Sequence, residues 1–276
     1  MKVSLIVAVY KDVQALALIV EALGHQTYKN FELVVAEDGQ DPAMAKYVKS
    51  IQGFPVVHTT QEDKGIQKTR SMNNGIIAST GEYLIFIDGD CLPYSTFIEA
   101  HASLAKPKTV LSGRRVNLGP SYSEKIRANQ LSPYYLEKNF LKKYFSIAKD
   151  AIEKHTESGF YFNPQGWFYK NILKYRKSTT ALLGCNYSCF KQDMLAINGY
   201  DESYGETAVG DDTDIDWRMR AYGCEIKSVK NVANIFHLYH SRSFREVIDH
   251  TEAFKAMHSK KEEGSYFCMQ GINQHN

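Results

Sequence analysis

Apolar and polar positions along the first 120 residues alternate between two periods, and this alternation predicts strands and helices in turn. Residues 3–9 form an almost continuous apolar run, which is typical of a strand buried on both faces. Asp12 and Gly24 are of the types that begin and end helices. Continued along the chain, the pattern predicts strands at 31–36, 56–59, 83–87 and 110–111, and helices at 13–23, 43–51, 67–78 and 96–104. It therefore predicts an α/β fold with a twisted, mostly parallel sheet flanked by helices.

Residues 121–180 differ from the rest and predict a helical, aromatic insert. They carry 11 Lys and Arg against 5 Asp and Glu, together with 13 aromatic residues. Apolar residues recur there at helical spacing: Leu136, Phe140, Leu141, Tyr144, Phe145, Ala148, Ala151 and Ile152. We expect this stripe to pack on the main domain. A basic, aromatic helix can alternatively lie on a membrane surface or hold a substrate.

After the insert the globular pattern resumes, which divides the chain into four parts. Strands are predicted at 183–190, 225–229 and 232–236, with a helix that begins near Asp212. The parts are 1–120, the insert 121–180, a second globular part 181–250 and a polar, peripheral tail 251–276.

Composition narrows the class of protein. The chain has 276 residues with 43% hydrophobic and 23% charged residues, which is typical of a globular protein. A net charge of +2 gives no reason to expect a nucleic-acid partner. Five cysteines, an odd number, do not suggest a disulfide framework, and no apolar run reaches membrane-span length. The apolar N-terminus lacks a cleavage site, so we expect a strand there and a soluble, cytoplasmic protein.

A candidate metal site follows the predicted strand 83–87. Asp88 and Asp90 place two carboxylates where the strand ends, and Gly89 between them lets the backbone approach a ligand closely. In parallel sheets, ligands bind at this edge. A divalent metal there could neutralise a diphosphate leaving group. The alternative is a solvated turn. Glycine-rich phosphate loops of the common nucleotide-binding types are absent from the sequence.

Further candidates lie later in the chain. Asp211 and Asp212 are adjacent carboxylates, which suits a general base, although acidic residues also favour helix N-termini. His237 and His240 follow the last predicted strand and could complete a metal site. Lys68 and Arg70, considered by themselves, have two possible roles: they lie on a solvated helix face, or they contact the phosphates of a ligand.

Five motifs in order resemble glycosyltransferase family 2 over almost the whole chain. They are the opening strand at 3–10, the segment 31–39 that ends in Glu-Asp-Gly, the segment 61–70, the segment 81–91 with Asp-Gly-Asp, and the series 184–186, 198–202 and 210–212. The match is similar to the N-acetylgalactosaminyl-transferring part of bacterial chondroitin polymerase and its single-domain relatives. Residues 184–212 also resemble the C-terminal region of β-1,4-galactosyltransferases. Where the family has Trp-Gly-Gly-Glu-Asp, this chain has no Trp, and Asp211 replaces the Glu.

The resemblance implies the GT-A nucleotide-sugar fold and a role for each matching residue. It assigns nucleotide binding to Ala8, Tyr10, Asp38, Gly65, Lys68, Arg70, Asp88 and Gly89. It assigns metal binding to Asp88, Asp90, His237 and His240, while the spacing leaves open which histidine binds. It assigns acceptor binding to Asp211 and Asn186, and the role of general base to Asp212. Residues 1–120 would then be the donor half, 181–250 the acceptor and catalytic half, and 121–180 an acceptor- or membrane-facing insert.

The implied reaction is an inverting, metal-dependent transfer, with Mn²⁺ or Mg²⁺ as the cofactor. A hexose or N-acetylhexosamine would move from a UDP-sugar to a hydroxyl of a saccharide or lipid-linked saccharide. Surface polysaccharide or lipopolysaccharide assembly is the implied setting, in the cytoplasm or peripherally on the inner face of the cell membrane. Two alternatives remain: a sugar nucleotidyltransferase, and a non-catalytic carbohydrate-binding protein.

Overall fold

A computed structural model describes residues 1–175, 180–241 and 249–275 of the chain. Ten strands occur in these ranges: β1 Val3–Val9, β2 Phe31–Glu37, β3 Val56–Thr59, β4 Tyr83–Asp88, β5 Cys91–Pro93, β6 Thr109–Ser112, β7 Arg114–Asn117, β8 Asn186–Phe190, β9 Glu225–Ser228 and β10 Asn234–His237. The α-helices there are α1 Val13–Gly24, α2 Pro42–Ser50, α3 Lys68–Ala78, α4 Phe97–Leu104, α5 Pro120–Arg127, α6 Pro133–Lys138, α7 Phe140–Asp150, α8 Trp167–Asn171, α9 Lys191–Ala196, α10 Thr213–Ala221 and α11 Thr251–Glu262. Short 3-10 helices lie at Thr156–Gly159, Leu173–Tyr175, Glu202–Tyr204, Ala208–Gly210 and Ile272–Gln274.

The main sheet has seven strands in the order β3-β2-β1-β4-β8-β6-β9. Strands β3, β2, β1 and β4 are parallel neighbours, and β6 is parallel to β9. Strand β8 runs antiparallel to both β4 and β6, between which it lies. The predicted α/β class and the mostly parallel sheet are therefore confirmed, and the antiparallel β8 is a feature that the pattern did not predict.

Local residue choice explains where the first helices begin. Asp12 Oδ1 accepts a hydrogen bond from Ala15 N (2.9 Å), which satisfies one of the free N–H groups of α1. Asp41 Oδ1 does the same for α2 through Ala43 N (2.8 Å). Observed helix ends fall within a residue or two of the predicted ones, which is the usual scatter of helix ends.

The sheet is buried on both faces, as the apolar runs predicted. In β1, Val3, Leu5 and Val7 belong to one apolar cluster, whereas Ile6 belongs to a second one on the opposite face. Helix α1 packs on the first face and helix α3 on the second. This burial fixes the β1 register against both neighbours, because a slip of one residue would exchange the two faces.

A second, three-stranded sheet has the order β5-β10-β7 and places the end of β10 beside the end of β4. His237 pairs with Cys91 across the antiparallel ladder and with Asn117 across the parallel one. Its three strands have only three or four residues each, which is too short for a recognisable alternation. The pattern of apolar and polar residues therefore did not predict this second sheet, although the sheet positions His237.

The described part of the insert packs on the main domain. Arg127 pairs with Asp12 (2.8 Å), and the rings of Phe140, Tyr144 and Phe160 pack together. Half of the predicted stripe does not pack: Leu141, Phe145, Ala148 and Ile152 are exposed. The expectation that the whole stripe packs on the main domain is thus wrong for these four residues, because Leu141, Phe145 and Ala148 lie on the solvent side of α7 and Ile152 follows its end. Residues 176–179 of the insert lie outside the described residues.

Residues 249–275 lie against the 181–241 part of the chain. Lys260 Nζ donates to Asp201 Oδ2 (2.6 Å), and His275 contacts Asn74 and Glu202. Residues 242–248 and 276, which belong to the predicted second globular part and tail, lie outside the described residues. The functional division of the chain stays a prediction.

Candidate functional site

Polar side chains from three neighbouring parallel strands meet at one edge of the sheet. Register pairs Ala8 of β1 with Ala36 of β2 and with Asp88 of β4, so Tyr10, Asp38 and Asp88 lie at the same end of their strands. Gly89 passes so close to β1 that a Cβ there would lie 2.7 Å from the carbonyl oxygen of Ala8. Glycine is therefore needed where the chain turns from β4 toward Asp90.

Lys68 joins this edge to the acidic pair near α10. Its Nζ donates to Asp88 Oδ1 and to Asp211 Oδ2, both at 2.5 Å. The three side chains are only 20–26% exposed. Burial opposes the charge of Lys68, but the two carboxylates outweigh it and hold its pKa well above the ordinary value. One ammonium thus binds two carboxylates that are 123 residues apart, which spacing alone could not reveal.

Burial acts in the opposite direction on Asp211. It raises the pKa of this carboxyl, and the nearby Lys68 only partly offsets the effect. Gly184 leaves the room that Asp211 needs, since a Cβ there would lie 2.9 Å from Asp211 Oδ1. The glycine of the 184–186 motif therefore has a packing reason within the site.

Asp90 points away from Lys68 and contacts both candidate histidines. His237 Nε2 and His240 Nε2 lie 3.3 and 3.2 Å from Asp90 Oδ2. Burial opposes the charge of Asp90, but the imidazoles outweigh burial and lower the pKa of the carboxyl. The structure brings both histidines to the same carboxylate, so either can contribute to the expected site.

The donor set fits a divalent metal. One carboxylate and two imidazoles form a set that Mn²⁺ and similar metals accept in proteins. Asp90, Cys91 and His237 offer ligand atoms within 4.8 Å of one another. Cys91 is fully buried, and burial first, then Cys185, raise the pKa of its thiol well above the ordinary value. A thiol that keeps its proton is a poor ligand, so the fit rests on Asp90 and the histidines. Asp88, which contacts Lys68 instead, is separated from them by the turn at Gly89.

Asp212 occupies the residue before α10 without acting as its side-chain cap. Its carboxylate accepts long hydrogen bonds from Gly184 N and Thr213 Oγ1, each at 3.3 Å, and it makes no side-chain capping bond to the backbone of α10. The helix N-terminus nevertheless favours a negative charge at this position. The side chain of Asp212 is partly exposed, whereas most residues of α10 are buried. The side chain is therefore available for chemistry.

A buried ion pair anchors α10, and the sequence analysis did not identify it. Asp214 and Arg218 lie one turn apart with their charged atoms 3.0 Å apart, and both are almost completely buried. Tyr204 Oη and Trp217 Nε1 also donate to Asp214, each at 2.9 Å. Arg218 further donates to carbonyl oxygens of Ile197 and Gly199. The Asp-x-x-x-Arg spacing was the available sequence sign of this pair.

The loop 61–67 is attached to the ends of β1 and β2 by hydrogen bonds and an ion pair. Gln61 Nε2 and Gln67 N donate to the two oxygens of Asp38, at 2.7 and 2.8 Å. Burial raises the pKa of Asp38, and these two hydrogen bonds oppose the shift. Lys11 pairs with Asp63 (2.8 Å) beside the half-exposed ring of Tyr10. These contacts close the loop 61–67 over the strand ends.

Gly65 forms the point where this loop meets the loop before α10. Its φ is +73°, and a Cβ there would lie 1.9 Å from Glu206 Oε1. Any side chain there would be strained by the positive φ and would displace the carboxylate of Glu206. The two loops that border the edge are therefore in direct contact at this position.

Two predicted site residues have their side chains engaged by other parts of the chain. Arg70 lies two positions after Lys68, about 200° around α3, and its Nη1 is 3.6 Å from Glu202 Oε2. Asn186 is fully buried; its Nδ2 donates to Arg114 O and Ala233 O. These hydrogen bonds give Asn186 a structural role, and its part in acceptor binding stays a prediction.

A cavity of about 180 Å³ opens beside the candidate metal site. It is lined by Asn117, Leu118, Ile152, Glu153, His237, Tyr239 and His240. The two histidines thus face Asp90 on one side and this cavity on the other. The insert contributes to the cavity through Ile152 and Glu153.

Comparison with known proteins decides the family. The family described as glycosyl transferase family 2 matches residues 4–176, which is more than half of the chain. The chain belongs to glycosyl transferase family 2. A second family, described as the N-terminal domain of galactosyltransferase, matches residues 169–241. These matches confirm the resemblance that the motifs carried.

Curated family 2 relatives match parts of longer proteins. The putative glycosyltransferase EpsH of Bacillus subtilis is 39% identical over 92 residues, which cover 32% of this chain and 26% of that protein. Chondroitin synthase of Escherichia coli is 20% identical over 233 residues, which cover 82% of this chain and 33% of that protein. The chain therefore spans about a quarter to a third of the length of these two relatives.

Solved structures confirm the GT-A fold. A fragment of Staphylococcus aureus TarS in complex with UDP-GlcNAc superposes with a TM-score of 0.64 at 12% identity, covering 99% of this chain and 69% of that one. A Pyrobaculum calidifontis mannosyltransferase in complex with GDP-Man and Mn²⁺ gives 0.55 at 14% identity, covering 94% and 61%. Within the described ranges, no helix of this family 2 chain is both long and apolar enough to span a bilayer.

Proposed function

We propose that this family 2 chain is a metal-dependent, inverting glycosyltransferase. It transfers a hexose or N-acetylhexosamine from a UDP-sugar to a hydroxyl of a saccharide or lipid-linked saccharide acceptor. Polysaccharide or lipopolysaccharide assembly is the proposed setting, and a place in the cytoplasm or on the inner membrane face stays a prediction. The observation that carries the proposal is the Lys68 bridge, which brings Asp88 of the donor edge and Asp211 of the acidic pair to one point.

In the proposed reaction Asp212 is the general base. The acceptor hydroxyl loses its proton to the Asp212 carboxylate while its oxygen attacks the anomeric carbon of the donor sugar. The bond from that carbon to the diphosphate oxygen breaks on the opposite face, which inverts the configuration. Two observations support this role: Asp212 has no capping bond to give up, and the buried Asp214–Arg218 pair fixes the helix that presents it.

The leaving diphosphate gains negative charge as the bond breaks, so the site must supply positive charge. Asp90, His237 and His240 would hold a divalent metal, and such a metal when bound stabilises a diphosphate leaving group. Lys68 remains charged throughout the ordinary pH range and holds Asp88 and Asp211 in place. Its ammonium is the fixed cation of the reaction centre.

The donor side is proposed on the residues that border the loop 61–67. The nucleotide binds where Ala8, Tyr10, Asp38, Gly65 and Gly89 line the strand ends, beneath that loop. Two structural neighbours are nucleotide-sugar complexes, with UDP-GlcNAc in one and GDP-Man with Mn²⁺ in the other. They support a nucleotide-sugar donor, and the uridine preference rests on the motif resemblance.

The decisive experiment compares Asp212→Asn with the wild type on a panel of UDP-sugars with Mn²⁺. We expect transfer to fall by about 10²–10⁴, which is the usual contribution of a positioned base, while UDP binding persists. Asp216→Asn in the same helix is the matched control, because Asp216 pairs with Arg220 (2.7 Å) and should leave transfer near the wild-type rate.

Other results would identify the alternatives. Release of pyrophosphate from a nucleoside triphosphate and a sugar phosphate would indicate a sugar nucleotidyltransferase. Saccharide binding without any turnover in the wild type, unchanged by Asp212→Asn, would indicate a carbohydrate-binding protein. Near-normal transfer by Asp212→Asn would move the base elsewhere, with Asp211 as the next candidate.

A further inference from the structure

Helix α7 exposes a continuous apolar strip to solvent. Leu141 is 73% exposed, Phe145 84% and Ile152, just beyond the helix, 66%. Leu141, Phe145 and the exposed Ala148 follow the spacing i, i+4 and i+7, which places them along one line of the helix surface, and Ile152 lies two residues after the end of α7. A different face of the helix carries the buried Phe140 and Ile147. Large side chains this exposed and this well aligned mark an interaction surface.

The charges beside the strip have one sign. Lys142 and Lys149 lie along one flank of the strip, both exposed. The single carboxylate of α7, Asp150, turns inward and accepts hydrogen bonds from Ser121 N and Tyr122 N at the start of α5. The outward face of α7 therefore combines apolar side chains with positive charge alone.

We propose that this α7 face docks on the surface of an anionic lipid bilayer. Apolar side chains enter the boundary between headgroups and acyl chains, and the flanking ammonium groups bind lipid phosphates. A protein partner or a second copy of the chain fits less well, because lysine is depleted from the centres of protein interfaces. The strip and the lysines together thus favour a membrane.

The strip lies close to the cavity beside the candidate metal site, which suggests how membrane docking could serve the reaction. The exposed Ile152 follows the strip, two residues beyond the end of α7, and also lines the cavity that His237 and His240 border. A bilayer in contact with α7 would therefore lie next to the candidate metal site. A lipid-linked acceptor could reach the reacting centre from that bilayer, an inference that rests on the proposed function.

The test is co-sedimentation with vesicles of equal parts phosphatidylcholine and phosphatidylglycerol. The wild type should bind these vesicles, bind pure phosphatidylcholine weakly, and lose binding as salt rises. Lys142→Gln with Lys149→Gln should weaken binding about 30-fold, from roughly 1 kcal/mol for each lysine near an anionic surface. Leu141→Ser with Phe145→Ser should also lose it.

Controls separate a local surface from overall charge. Lys46→Gln with Lys49→Gln, on the exposed face of α2, makes the same change in net charge and should keep wild-type binding. Equal losses in both lysine pairs would overturn the proposal, as would a wild type that does not bind. A dimer of the wild type that dissociates in Leu141→Ser with Phe145→Ser would overturn it too, by identifying a second copy as the occupant.

A solution assay distinguishes failure of the docking from failure of the proposed function. None of the four substituted α7 side chains lines the cavity, so hydrolysis of a UDP-sugar should be unchanged in these variants. Intact hydrolysis without vesicle binding by the wild type overturns the docking surface alone. Vesicle binding by a wild type that turns over no donor supports the surface and overturns the proposed function.

Discussion

The bridge made by Lys68 gives the sharpest quantitative prediction. Lys68→Met keeps the length and helix preference of the side chain but removes the ammonium. Asp88 Oδ1 and Asp211 Oδ2 each lie 2.5 Å from Nζ, so these two oxygens are at most about 5 Å apart. Without the ammonium, two ionised carboxylates at that distance repel by about 3 kcal/mol at an effective dielectric constant of about 20.

Relaxation reduces this penalty, because the carboxylates are about one-fifth exposed and can turn toward water. We therefore expect Lys68→Met to lower the free energy of unfolding by about 2 kcal/mol at pH 8. Urea denaturation at several pH values measures it. Lys64→Met is the matched control, since Lys64 forms an exposed ion pair with Glu62 and should lose at most about 0.5 kcal/mol.

The pH dependence provides the second half of the test. Loss of the cation removes the group that lowers the pKa of Asp211, so the raised folded-state pKa of this carboxyl rises further and the folded variant binds its proton more tightly than the unfolded chain. The penalty is then present above that folded-state pKa and disappears as the pH falls through it. Adding Asp211→Asn should likewise restore much of the lost stability. The reasoning is refuted if Lys68→Met is as stable as Lys64→Met at pH 8, or if acid increases its deficit.

Three other residues give direct tests. Asp90→Ala should abolish the part of the UDP-induced rise in melting temperature that requires Mn²⁺, and an unchanged metal-dependent rise would remove Asp90 from the metal site. Gly65→Ala should weaken UDP binding, because its φ is +73° and a Cβ would collide with Glu206; near-wild-type affinity measured by calorimetry would contradict this. Burial lowers the pKa of His101 to about 4, so the free energy of unfolding should fall by about 3 kcal/mol as the pH drops from about 6.5 to 4. His101→Asn should flatten this pH dependence, whereas His258→Gln, at an exposed position, should leave it unchanged.

Much of the candidate site could be predicted because the ends of strands can be recognised from the local sequence. Apolar runs indicated β1, β2 and β4, and each run ends in polar residues. The carboxyl ends of parallel neighbours share an edge, so Tyr10, Asp38 and Asp88 were expected together, and the β1 and β4 registers confirm that placement. The motif resemblance added the family, which the comparisons confirm.

Residue partners were less accessible. Lys68 and Arg70 looked equivalent in sequence, yet helix geometry directs one to Asp88 and the other to Glu202. Asn186 lies within a matching motif, but its buried amide group donates hydrogen bonds to two backbone carbonyl oxygens. The contacts of these side chains depend on which distant segment of the chain packs beside them, and no local sequence pattern contains that information.

Helix α7 shows where the division lies. Sequence by itself determined that this segment is helical and that apolar residues recur along it, because both properties are local. Phe140 and Ile147 on one face and Leu141 and Phe145 on the other merge into a single apolar stripe when only spacing is considered. Tertiary structure alone decided that the first pair is buried and the second exposed, because burial depends on whether another part of the chain covers a face.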